Sequence, residues 1–111
     1  MTNFIWITTQ FEGFHQYLNA PTEVSFLQNK HRHIFHVKVF IEVMHNDRDI
    51  EFIMFKNYIN FIINTKINKD NVGSCEMLAD KIHDSVSEYY LNRKIKINVS
   101  EDLENGCEKE Y

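Results

Sequence analysis

The longest alternating run in the chain opens with two histidines, and no other feature narrows the possible folds as much. After His31 and His33 come Phe35, Val37, Val39, Ile41 and Val43, each two positions from the last. Residues two apart in a strand point to the same side of a sheet. The pattern predicts a strand over 31–45, with both imidazoles at one end of its core-facing side. Arg32, Ile34, His36, Lys38, Phe40, Glu42 and Met44 fall on the other side. That side is partly apolar, which predicts half-covering by a neighbouring subunit. A third imidazole from an adjacent strand would give three nitrogens and an open fourth position. Catalytic zinc uses that arrangement, because water or substrate must reach the metal. His15, which closes Phe11-Glu12-Gly13-Phe14-His15, is the candidate. His36 points away from the pair and His45 falls in a turn, so both are expected to serve packing or the surface.

The remaining segments supply neighbours for that strand. Residues 3–15 alternate, with Phe4, Trp6 and Thr8 on one side and Ile5, Ile7, Thr9 and Phe11 on the other. They predict a first strand, in which Gly13 marks a bulge or a close backbone approach. Residues 16–30 hold the only proline, Pro21, and predict a long polar connection. After a turn at 46–49, Phe52, Phe55, Ile59 and Ile62 recur at helical spacing. They predict a helix over 50–64, capped by Asp49, with Glu51 favoured by the helix dipole. A polar loop over 65–73 ends at Gly73. Ser74 then caps a predicted helix over 74–91, with an apolar stripe of Leu78, Ile82, Val86 and Tyr89. His83 is expected to face solvent. Ile95, Ile97 and Val99 predict a strand over 93–100, Asn105-Gly106 a hairpin turn, and Cys107–Tyr111 a short last strand.

Strand, strand, helix, helix, strand, strand predicts an α+β fold: an antiparallel sheet with two helices on one face, as one domain over 1–111. Open sheet edges need cover, and closing several such sheets into a shared barrel would provide it. The formal net charge is -4, with no basic stripe, which argues against nucleic acid as a partner. No run approaches the ~18 apolar residues of a membrane span, and no signal-peptide pattern opens the chain. Two cysteines, Cys75 and Cys107, make no disulfide framework, so a reducing cytoplasm is expected.

Five fragments in order resemble one family. Phe11-Glu12-Gly13-Phe14-His15 is similar to a Phe-x-Ala-x-His strand motif, and His31-Arg32-His33 to a His-Gly-His that opens the next strand. Glu51-Phe52 with Lys56 resembles an Asp-Phe followed by Lys. Ser74-Cys75-Glu76-Met77-Leu78-Ala79 resembles Thr-Ser-Glu-x-Leu-Ala, and Ile97-Asn98-Val99-Ser100-Glu101 a strand ending in a pterin-binding glutamate. From Phe4 to Tyr111 the chain resembles the 6-pyruvoyl-tetrahydropterin and 6-carboxy-tetrahydropterin synthases, which are tunnelling-fold enzymes. The resemblance implies Zn2+ on His15, His31 and His33, a pterin received by Glu101 in a pocket lined by Ser74, Cys75 and Glu76, and a hexamer built as a dimer of trimers. Two departures stand out. The family's catalytic cysteine falls at Leu27, and Ile67-Asn68-Lys69-Asp70-Asn71 offers no counterpart to its Asp-His pair.

Two functions follow as expectations. The first is a zinc-dependent lyase acting on a reduced pterin such as 7,8-dihydroneopterin triphosphate, with altered chemistry. Its proton would be taken by Glu23, Cys75 or a hydroxide, and its product would feed 7-deazaguanine (queuosine) or folate-type metabolism. The second is an inactive protein that binds zinc and a pterin or purine-like ring. Leu27 separates them, because an apolar residue there suits binding better than proton transfer.

Overall fold

A computed structural model of the protein describes residues 2–111. The two alternating N-terminal runs form long strands, β1 (Asn3–His15) and β2 (His31–Val43). Helices α1 (Phe52–Lys66) and α2 (Cys75–Tyr89) follow, then β3 (Ile95–Glu101) and β4 (Asn105–Glu110). The sheet runs β1-β2-β3-β4 and is antiparallel at every pairing. The expected α+β arrangement, a four-stranded antiparallel sheet with two helices, is therefore present.

The helices pack on the side that carries the alternating apolar residues. Phe35, Val37, Val39 and Ile41 are buried against Phe55, Ile59 and Ile62 of α1 and Leu78, Ile82 and Val86 of α2, in one core with Ile95, Ile97 and Val99. Each helix contributes one stripe at three- and four-residue spacing. Full burial of such a side chain is worth about 1.5–3 kcal/mol. A one-residue slip of β2 would turn that whole set to the opposite side, so the register is strongly fixed. That register also builds the site. It pairs His15 with His31 and Gly13 with His33.

Gly13 marks a close approach rather than a bulge, since β1 pairs regularly with β2 there. A Cβ at this position would sit 2.7 Å from Val72 Cγ2. The segment before α2 lies along β1, tied by Phe14 N–H to Lys69 O (2.8 Å) and Val72 N–H to Phe14 O (2.9 Å). Glycine leaves the room that this backbone pairing needs.

Several expectations are corrected. Glu51, not Asp49, caps α1, accepting from Met54 N–H at 2.8 Å. Asp49 is engaged elsewhere, by Arg93 and by Met44 N–H, each at 2.7 Å. Phe52 and Tyr89 belong to no buried stripe and are mostly exposed. Tyr89 instead packs on Tyr58, with ring centroids 4.9 Å apart. The connection after β1 contains 3-10 turns at Thr22–Gln28. His83 stacks on Tyr111 at 3.8 Å rather than simply facing solvent. The final hairpin turns at Glu101–Glu104, closed by Glu104 N–H to Glu101 O at 2.9 Å, while Asn105 and Gly106 pair within the strand. Asp102 (φ 54) and Leu103 (φ 61) take left-handed backbone, which gives the twist that a tight hairpin favours.

Candidate metal centre and adjoining cleft

The end of β1, the start of β2, the end of β3 and the start of α2 meet at one corner of the molecule. Alternation puts His15, His31 and His33 on the core side of the sheet, just beyond the last buried layer at Phe35. Their ring centroids form a near-equilateral triangle: 4.6 Å between His15 and His31, 5.0 Å between His15 and His33, and 5.0 Å between His31 and His33. One nitrogen from each ring falls within 4.8 Å of the other two.

The outer nitrogen of every ring is held. His15 Nδ1 lies 2.7 Å from Gly73 O, His31 Nδ1 lies 2.7 Å from Asn29 O, and His33 Nδ1 lies 2.7 Å from Asp102 Oδ2. Carbonyls and carboxylates only accept, so each Nδ1 must donate. In the neutral ring this leaves Nε2 as a bare lone pair, and the partner on Nδ1 fixes its direction. Asp102 is itself anchored, since its Oδ1 accepts from Ile34 N–H at 2.8 Å. These donations, from His33 first and then from Ile34, hold the Asp102 carboxyl below the usual range.

Glu101 adds a further acceptor. Oε1 lies 3.4 Å from His15 Nε2, and Oε2 lies 3.4 Å from His33 Nε2. Three imidazole lone pairs and a carboxylate thus gather at one corner and, among the described residues, no lysine or arginine is paired with that carboxylate. This donor set fits a divalent cation such as zinc, for which neutral imidazole and carboxylate are ordinary ligands. The residues present therefore fit the implied metal.

Beside the triad opens a cleft of about 810 Å3, within the range of small-molecule sites. Its lining includes His15, His31, Glu101, Tyr17 and Leu27, together with Ser74, Cys75 and Glu76 from the start of α2. Leu27 thus borders the cleft. Ser74 caps α2, accepting from Met77 N–H at 3.2 Å. Cys75 is buried, with Sγ 3.8 Å from Glu101 Oε1. Burial first, and the Glu101 charge second, push its thiol up to about 12. At neutral pH Cys75 is thus a protonated thiol, able to donate a hydrogen bond. Glu23 lies exposed in the 3-10 turns and does not line the cleft.

The sequence reading placed the three histidines, Glu101 and the α2 segment at this corner but missed the groups that orient them. Asn29 and Gly73 act through backbone carbonyls, which carry no residue signature. Asp102 had one usable signal: an acidic residue at a hairpin position, where Asp tolerates left-handed backbone better than most residues. No protein-family model matches the chain, and no curated protein gives a significant match.

Proposed function

We propose that the protein is a zinc-dependent lyase of the 6-pyruvoyl/6-carboxy-tetrahydropterin synthase type, acting with altered chemistry on a reduced pterin such as 7,8-dihydroneopterin triphosphate. The observation that supports it best is the histidine triad, with all three outer nitrogens held, beside a cleft that Glu101 also lines. His15, His31 and His33 would hold the zinc, which would supply Lewis acidity toward a side-chain oxygen of the substrate and so acidify the neighbouring C–H. Glu101 accepts two parallel N–H bonds from the amidine edge of the ring. Cys75 stays protonated and serves as a donor. Among the described residues, Glu76 and Glu101 are the carboxylates that line the cleft; with Glu101 on the ring, Glu76 is the one left to accept the C–H proton.

A second reading, a zinc protein that binds a pterin or purine-like ring without turnover, is favoured by one particular feature. Leu27 cannot move a proton, and a lost general base typically costs ~10²–10⁴-fold in rate. One incubation separates the two. Zinc-loaded protein is mixed with 7,8-dihydroneopterin triphosphate, and free and retained species are followed by mass spectrometry. A new pterin product that disappears with His33→Ala supports the lyase. Unchanged pterin that co-purifies with the protein supports binding. Neither turnover nor retention removes the pterin from the proposal.

The strand and helix order also supports a tunnelling-fold assembly. β1 and β4 are the two free edges of the sheet, and edge pairing between copies would close a barrel. Light scattering at the mass of a hexamer, built as two stacked trimers, is the expected result.

A further inference from the structure

We propose that Glu101 is a fourth, exchangeable ligand of the cation held by His15, His31 and His33, released when a ring enters the cleft. This rests on the metal reading of the histidine triad. Glu101 would then hold either the cation or the ring, and capture of the ring would open the coordination position that the substrate side chain needs.

The first support is chemical. With each Nδ1 donating outward, the Nε2 atoms of His15 and His33 present lone pairs to the Glu101 oxygens, which are also acceptors. Such groups approach one another only with a cation or protons between them. The second support is distance. A charge-assisted N–H···O bond spans about 2.7–2.9 Å, and the His33–Asp102 contact at 2.7 Å is of that kind. Both Glu101 contacts are longer, at 3.4 Å. Tetrahedral zinc with bonds of about 2.0–2.1 Å places neighbouring ligand atoms roughly 3.3–3.4 Å apart. Each Glu101 contact, Oε1 to His15 and Oε2 to His33, matches that spacing.

The third support is freedom to move. Asp49 is fixed by Arg93, Asp80 by Lys109 and Glu12 by Arg32. Among the described residues, Glu101 pairs with no lysine or arginine, and its remaining tether is the long Cys75 contact at 3.8 Å. Its side chain is about a quarter exposed, 24%, and it lines the cleft. A carboxylate held this loosely can exchange partners.

The test uses metal binding and not turnover. Affinities for zinc and cobalt(II) are measured by chelator competition for the full chain and for Glu101→Ala and Glu101→Gln. Circular dichroism checks that each variant is folded, and Gln keeps the shape if Ala does not fold. The expected result is at least about a tenfold loss of affinity in the variants. The visible spectrum of the cobalt form should also change when 7,8-dihydroneopterin is added to the wild type. Wild-type affinity in a folded variant, or a cobalt spectrum indifferent to the pterin, overturns the inference while leaving the histidine site intact. A wild-type protein that binds no better than His33→Ala overturns the metal reading itself, and this inference with it.

Discussion

The two ends of β2 treat charge in opposite ways. At the far end, Asp49 Oδ2 accepts from both Arg93 and a backbone N–H. At the near end, three imidazole nitrogens and Glu101 converge as acceptors, with donors only on the outside. The same sheet carries both clusters, so the difference does not arise from the fold. A cluster that only ties strands together satisfies itself. A cluster that leaves its centre short of positive charge is arranged for something brought to it.

This contrast can be broken by removing parts from each end. The largest effect is expected from His33→Ala. Four-ligand zinc sites bind with about 10–16 kcal/mol, so one ligand carries roughly 3 kcal/mol, about a hundredfold in affinity. Chelator competition reads it, and unchanged metal content in His33→Ala or His15→Ala would mean that the triad is not the site. Asp102→Asn keeps the left-handed turn but removes the charge behind His33. Metal affinity is expected to fall about tenfold, with little change in the urea midpoint.

Gly13→Ala should act on the frame. Its Cβ meets Val72, and overpacking of this kind costs about 1–3 kcal/mol. Urea unfolding measures that loss, and a stability equal to wild type would mean that the segment before α2 yields freely. The smallest effect belongs to the far end. The Arg93 guanidinium first, and the Met44 N–H second, hold the Asp49 carboxyl below its ordinary value of 3.8. A lowered folded pKa stabilises the fold above the unfolded pKa, and this contribution is lost as pH falls through the folded pKa. Stability of the wild type should therefore drop below about pH 4, and Asp49→Asn should flatten that drop. An acid limb identical in the two proteins would show that the Arg93 pair contributes nothing to it.

Legibility in the sequence followed the distance over which each choice is made. Alternation in β2 is a property of neighbouring residues, and it fixed the face of His31 and His33 before any tertiary contact was known. His15 needed one further step, the pairing of two strands, and it was still readable. The α1 cap was not. Asp49 and Glu51 both stand before the helix, and what removes Asp49 is an arginine far along the chain. Phe52 fits the helical period yet lies beyond the core's edge, because periodicity gives the direction of a side chain and not the extent of the sheet beneath it. The roles of Gly73 and Asp102 depend on where loops come to rest, so local pattern could not reveal them.

The partners of the histidines also set an order of events during synthesis. Of the three histidines, His15 waits for Gly73, 58 residues later, and His33 for Asp102, 69 residues later. Until then those two imidazoles can rotate and exchange tautomers. His15 and His33 are therefore unheld until those segments arrive, whereas His31 has its partner two residues away, at Asn29. The triad is fully oriented only when β3 has paired and the last hairpin has turned, so metal uptake by that oriented triad would report on completion of the whole fold.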